Sequence, residues 1–311
     1  MSINIGKVFA DIAGEKLRSN GFIRKETCWY RFTDTGIAQF IGVEKKLRSI
    51  IEIGATVRPM FDIEYTGDHV PKNFPVFPTV FLNYLIEENV INLKIGKKLK
   101  RIEINPDNFE SEDVRKFIND TLDKHILPCY NSMRSVEDCL NAHTNRWRIL
   151  SDDLKDLYNG KIIFNENMSP IIMRMLCFLN QHIEECMDWI IYNQNMAISC
   201  DLRCYYEHNE LNENQKIDFF MNALKDKKMN KKNFTEFCST NGFVPNKMFN
   251  KDDILWSWNA YENEYKPELE VMQSGNRERV IQLFEIRHNQ NKERWEKILK
   301  VKLPNFNCYI V

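Results

Sequence analysis

The first sixty residues constrain this chain more than any other stretch, because they read as one helix and three strands with clean punctuation between them. Ile5, Val8, Phe9, Ile12 and Leu17 recur at helical spacing, and Asn20-Gly21 supplies the stop. Cys28-Trp29-Tyr30-Arg31-Phe32 then reads as a strand and Asp34-Thr35-Gly36 as a short hairpin turn. Ile37 to Val43 and Ser49 to Val57 read as two further strands. In the last of these, Ile51, Ile53, Ala55 and Val57 fall on one face, with Glu52, Thr56 and Arg58 on the other. That alternation is the period of a half-buried antiparallel sheet, not of a parallel sheet covered on both sides. A helix laid across the apolar face gives an α+β unit.

The stretch that follows holds Pro59, Pro71, Pro75 and Pro78, a density that forbids a central strand or a long helix. Phe61, Phe74, Phe77 and Phe81 lie among them and need a surface to cover, so part of this segment is expected against the helices further on. Val90 to Ile95 and Arg101 to Ile104 read as short strands. A helix is expected from about Ser111, with Val114, Phe117, Ile118, Leu122 and Ile126 on one stripe, stopped by Pro128. Ser135 then caps a short helix through Leu140. Beyond about residue 145 the strand signal disappears. Ser169-Pro170 opens a helix running from Ile171 to Ile191, with Ile172, Met175, Leu179, Ile183, Cys186 and Ile190 as its stripe. Further helices are expected at Asn214 to Leu224, Lys232 to Asn241, Asp252 to Tyr265 and Asn276 to Leu299. The expected fold is therefore α+β, an N-terminal antiparallel sheet with packed helices followed by an all-α helical domain. The domains are residues 1–145 and 146–311, divided near Asn141 to Ser151.

Composition narrows the function classes. Hydrophobic residues at 43% and aromatics at 12% of 311 residues build a real core and exclude a disordered chain. A formal charge of -1, from 43 basic and 44 acidic residues, gives no global attraction to nucleic acid or anionic membrane, so such binding needs a local patch. The nine cysteines lack the even spacing of a secreted disulfide framework, and Met-Ser-Ile-Asn-Ile-Gly has no signal-peptide pattern. Arg174, Asn180, His182, Glu184, Glu185 and Asp188 interrupt the longest apolar run, which does not span a bilayer. A cytoplasmic setting and buried, reduced cysteines are the expectation.

Leu17-Arg18-Ser19-Asn20-Gly21-Phe22, then Lys25, Trp29, Tyr30 and Arg31, resembles the opening of a bacterial family catalogued as domain of unknown function 4304. There too a first helix ends in a Gly-Phe pair, a basic residue follows and an aromatic-basic strand comes next. Ala38 to Lys45 and Ile50 to Pro59 are similar to that family's next two strands, and Ile126-Leu127-Pro128 with Val136 to Leu140 to its end. The resemblance covers about residues 3–145. It departs at Glu44-Lys45, where the family carries a Gln-Lys pair. It implies the fold and no activity, because the family's name assigns none.

Three constellations could carry chemistry. Asp34 followed by Glu44-Lys45-Lys46 is similar to the metal-dependent nuclease arrangement, in which two carboxylates hold a divalent cation and a lysine orients the attacking water. Asp34, Glu44 and Lys46 would be its catalytic residues. Turn chemistry at Asp34-Thr35-Gly36 and solvated strand-end chemistry at Glu44-Lys45-Lys46 account for the same residues, so a structural role is expected. His182, Cys186, Cys200, Cys204 and His208 could close a tetrahedral zinc site between two helices. The tight two-residue-spaced pairs of structural zinc modules are absent, however, and Cys186 sits on an apolar stripe, so no metal is expected. Lys225, Lys227, Lys228, Lys231 and Lys232, with Phe234, Phe237 and Phe243 nearby, could bind phosphates and stack bases. A helix end explains the lysines and a core explains the phenylalanines.

A glycine-rich phosphate loop, a Gly-x-Ser-x-Gly elbow and a His-Glu-x-x-His motif are all missing from the sequence. The chain is expected to be a non-catalytic, cytoplasmic protein-binding module without cofactor, set in a bacterial defence or toxin-neutralising system. Its partner is expected to be a protein, with nucleic acid reachable through local basic patches and no membrane partner. The alternative is a metal-dependent nuclease or another nucleic-acid-acting protein.

Overall fold

A computed structural model describes residues 4–46, 50–62, 103–104, 110–140, 170–181, 183–226, 229–249, 259 and 261–309. Asn4 starts helix α1 (Ile5–Ser19), its side-chain oxygen accepting the Lys7 backbone N–H at 3.0 Å. The helix closes at Asn20 and Gly21. There the Phe22 N–H donates to the Leu17 carbonyl at 3.0 Å and the Gly21 N–H to the Arg18 carbonyl at 2.9 Å, the paired bonds that satisfy a helix end. Val8, Phe9, Ala13 and Leu17 form the buried stripe. A Cβ at Gly14 would stand 3.2 Å from the Trp29 ring, so a side chain there would hold the helix away from the sheet.

Strands β1 (Ile23–Lys25), β2 (Cys28–Phe32), β3 (Ile37–Lys46), β4 (Ile50–Pro59) and β5 (Glu103–Ile104) pair in chain order, every neighbour antiparallel. Gly36 ends the β2–β3 turn at φ 76°, which glycine adopts without a Cβ clash. Thr33 supplies the turn's side-chain bond by accepting the Ile37 N–H at 3.0 Å. The register sets Trp29 opposite Ile41, Arg31 opposite Gln39 and Tyr30 opposite Phe40. Trp29, Gln39 and Ile41 therefore share one face and Tyr30, Ala38 and Phe40 the other.

On the first face α1 packs against β3, helix α2 (Glu112–Thr121) packs on α1, and helix α3 (Leu127–Ser132) reaches the sheet through Tyr130. Ser111 caps α2, and Val114, Phe117, Ile118, Leu122 and Ile126 are buried as the stripe requires. Pro128 does not stop the run. A π-helical turn at Leu122–Ile126, closed by the Leu127 N–H on the Leu122 carbonyl, widens the ladder, and Pro128 then lies in the first turn of α3. A proline's missing N–H is harmless there. Tyr130 of α3 donates its hydroxyl to the Phe40 carbonyl at 2.9 Å, and its own carbonyl accepts the Gln39 amide at 2.8 Å. Ser135 caps a short helix at 136–140.

The second face corrects the expectation of a half-buried sheet. Tyr30, Ala38 and Phe40 are buried there with Trp295 and Leu303, and Phe32 packs beside them. Arg58, expected on a solvent face, is 4% exposed, over the Phe40 ring at 5.3 Å and 3.8 Å from the Asp62 carboxylate. Strand β2 carries aromatic residues on both faces and β3 adds Phe40 to the second, which the C-terminal segment covers.

The chain divides into two compact units, Met1–Ile163 with Phe284–Val311, and Phe164–Leu283. The expected domains, 1–145 and 146–311, differ by assigning the C-terminal segment to the helices. That segment clusters with the sheet because Trp295 and Leu303 join the sheet's aromatic layer. The expected boundary at 141–151 lies outside the described residues, as do the strand at 90–95 and most of the proline-rich stretch. Phe61 is described, and it packs on Phe284 at 4.8 Å and Tyr309 at 5.3 Å.

In the second unit the single helix expected at 171–191 is two. Helix α4 (Pro170–Phe178) ends where Asn180 takes φ 58°, and helix α5 (Ile183–Tyr205) follows. Asparagine tolerates this left-handed position, and the Gln181 N–H closes the end on the Leu176 carbonyl at 2.9 Å. Helices α6 (Glu213–Ala223) and α7 (Lys231–Thr240) both begin with reciprocal capping boxes, Asn212 with Gln215 and Asn230 with Asn233. A π-helical turn at Tyr261–Tyr265 leads into helix α8 (Lys266–Gln273), and helix α9 (Arg277–Leu299) follows. The expected helix from Asp252 lies largely outside the described residues. Phe220, Phe234, Phe243, Leu202, Tyr206 and Leu269 build this unit's core. Strands β6 (Tyr206–Glu207) and β7 (Val244–Pro245) pair beside it. Among the described residues no helix is long and apolar enough to cross a membrane.

Candidate functional site

Backbone register separates the nuclease candidates. Asp34 is exposed in the β2–β3 turn, whereas Glu44 lies seven residues beyond Ile37 on β3, opposite Glu52. At about 3.3 Å per residue Glu44 stands roughly 23 Å along the strand from Ile37, where the turn that holds Asp34 ends. One cation needs its oxygen ligands within about 2.6 Å, so Asp34 and Glu44 do not share a metal ion. Lys46 is two residues further on, and the side chains of Glu44 and Lys46 lie outside the described residues.

The cysteine–histidine set is separated by the same arithmetic. Cys186, Cys200 and Cys204 lie on one continuous helix, α5, rather than on two. Cys186 and Cys200 are fourteen residues apart in the sequence, about 21 Å at 1.5 Å per residue. Cys186 is buried, and its hydrogen bond with Cys177, then burial, push its thiol pKa up, away from the thiolate that zinc requires. The exposed Cys204 thiol donates to the Cys200 carbonyl at 3.4 Å. His208 has both ring nitrogens occupied. Nδ1 accepts the N–H groups of Glu210 at 3.1 Å and Leu211 at 3.2 Å, and Nε2 donates to the Asn241 carbonyl at 3.1 Å. It fastens the chain between β6 and α6. His182 lies outside the described residues, among which there is no group of three or more potential metal ligands.

The lysine run is dispersed. Lys225 is exposed at the end of α6 and donates to the Asn222 side chain at 2.9 Å, and Lys232 is exposed on the first turn of α7. Lys227, Lys228 and the Lys231 side chain lie outside the described residues. Phe234 and Phe243 are buried and Phe237 packs against the same core, so none of the three is offered for base stacking.

Two features escaped sequence reasoning. The first is a surface turn. Val244 is 55% exposed, Met248 87% and Phe249 37%, with Lys247 exposed between them. This turn is fixed rather than loose. The Asn246 N–H donates to the Tyr205 carbonyl at 2.8 Å, and the Asn246 amide to the Cys204 carbonyl at 3.1 Å. Its side-chain oxygen accepts the Met248 N–H at 2.9 Å. Phe249 adds an edge-on contact to Tyr205 at 5.0 Å. The signal in the sequence is Val244-Pro245-Asn246-Lys247-Met248-Phe249, where large apolar residues flank the turn residues Pro245 and Asn246.

The second is a polar interior. The Arg174 guanidinium of α4 donates twice to the Glu268 carboxylate of α8, at 2.8 and 3.0 Å, with 3% and 0% of the side chains exposed. The Gln194 amide of α5 also donates to Glu268. Removing one partner of such a pair strands a buried charge and costs about 3–5 kcal/mol. Alongside, Gln194 Oε1, Asn195 Oδ1 and Ser199 Oγ are buried with no hydrogen-bond partner among the described residues. An unsatisfied buried polar atom costs about 1–3 kcal/mol. No family model, curated protein or solved structure was found to match this chain.

Proposed function

We propose that the protein is a non-catalytic module of the bacterial cytoplasm that binds another protein, within a defence or toxin-neutralising system. The observation that carries the binding role is the fixed turn that presents Val244, Met248 and Phe249 to solvent. Large apolar side chains held outward by an ordered backbone are the kind of surface that a partner buries. Lys247 between them adds a charge that selects among partners. The bacterial setting rests on the resemblance of residues 3–145 to the family named above, and the defence role is part of the proposal.

Native co-purification of the tagged full chain tests this reading, with Met248→Asp and Val244→Asp beside the wild type. The expected result is a stoichiometric protein partner, retained by the wild type and lost from both variants while their circular dichroism is unchanged. Retention of nucleic acid in place of protein would overturn the reading in favour of a nucleic-acid-acting protein. A partner held equally by wild type and variants would remove the turn as its binding surface.

A further inference from the structure

The polar interior of the helical unit has more hydrogen-bonding capacity than its own side chains use. Gln194, Asn195 and Ser199 are 3%, 5% and 0% exposed, and one oxygen of each lacks a partner among the described residues. Asn195 and Ser199 stand one turn apart on α5 and share a face, with Gln194 adjoining. The two amide oxygens can only accept, and the serine hydroxyl can accept or donate. Whatever completes them must therefore donate. Charge argues for a neutral species, because the Glu268 carboxylate next to Gln194 is already matched by Arg174. Size argues for a small one, because none of the three side chains belongs to a residue more than 5% exposed.

We propose that this unit encloses an internal water site, in which one water donates to Asn195 Oδ1 and shares a hydrogen bond with Ser199 Oγ, and a second donates to Gln194 Oε1. Buried waters typically serve such atoms, making two to four hydrogen bonds each. The site is independent of the surface turn and of any partner that the turn engages.

Water-oxygen magnetic relaxation dispersion on the full chain counts long-lived internal waters directly. The expected result is at least two such waters in the wild type and one fewer in Ser199→Ala or Asn195→Leu, with a lower thermal midpoint in each variant. An unchanged water count together with a raised midpoint would overturn the proposal, since removing dry, unsatisfied oxygens relieves the fold. If Asn195→Leu fails to fold, Ser199→Ala, which deletes a single oxygen from a small side chain, carries the same readouts. Ammonium chloride is the probe for a charged occupant. A midpoint raised above that in potassium chloride at equal ionic strength, and lost in Ser199→Ala, would assign a cation and overturn the water site.

Discussion

His288 lies at 0% exposure on α9 with a carbonyl at one ring nitrogen and a phenol at the other. Nε2 donates to the Pro304 carbonyl at 2.9 Å, and Nδ1 stands 3.0 Å from the Tyr309 hydroxyl. That hydroxyl donates to the Gly36 carbonyl at 2.9 Å and accepts the Met60 N–H at 3.0 Å, so the C-terminal turn is tied to the β2–β3 hairpin. Burial holds the imidazole pKa below its ordinary value. The Pro304 hydrogen bond and Glu285 act upward against that, and Lys292 acts downward with it. The unfolded chain takes up a proton near the ordinary histidine value, about 6.5, before the folded one does. Stability is therefore fully present above that value and declines as pH falls from it toward the lower folded value. Urea midpoints measured at about pH 7.5 and 5.5 are expected to fall further in the wild type than in His288→Gln; parallel losses would contradict this. None of this was legible in Arg287-His288-Asn289, where the histidine sits in a polar stretch and its partners are distant in the chain.

Helices and turns whose causes are local are legible in the sequence. Asn20-Gly21, Ser111 and the stripe from Val114 to Ile126 stand where short-range chemistry puts them, since a cap or a stripe is complete within a few residues. The misses needed a wider view. Pro128 was expected to end a helix and instead follows a π-helical turn, and Asn180 breaks α4 from α5 although the apolar stripe runs on through it. The largest miss is the second cover of the sheet. Trp295 is 4% exposed, with its ring 4.8 Å from Tyr30, 5.8 Å from Phe32 and 6.1 Å from Phe40. Trp295→Ala is expected to destabilise the fold by about 3–5 kcal/mol, the usual cost of emptying a buried tryptophan site. Urea unfolding monitored by circular dichroism checks it, and a loss under about 1 kcal/mol would mean that the ring is dispensable to the sheet.

At the scale of the molecule, the sheet's unit is built from two distant parts of the chain, with Phe284–Val311 completing what the N-terminal residues begin. A chain ending at residue 283 keeps β1 to β4 but strips Trp295 and Leu303 from Tyr30, Phe32 and Phe40. An exposed aromatic face of that kind is adhesive. The truncated chain is expected to be insoluble, or to bind a hydrophobic dye that the full chain excludes. Size-exclusion chromatography with dye fluorescence reads this directly. A soluble, dye-free monomer would show that the sheet's second face needs no cover from the C-terminal segment.

The hairpin at Gly36, the end of α1 at Asn20-Gly21, the Ser111 cap of α2 and the α+β class were written in neighbouring residues. Turn chemistry and hydrophobic period act over distances that the sequence spans locally. Chain distance, by contrast, hid the candidate sites. Asp34 and Glu44 are close in number, but Asp34 sits in the turn before β3 and Glu44 towards its far end, and Cys186 and Cys200 lie about 21 Å apart on one helix. Arg174 and Glu268 meet although 94 residues separate them. Met248 points into solvent because Asn246 fastens its turn to the end of α5. Which side chains meet, and which apolar ones remain outside, depends on packing between elements far apart in the chain, and no local pattern carries that information.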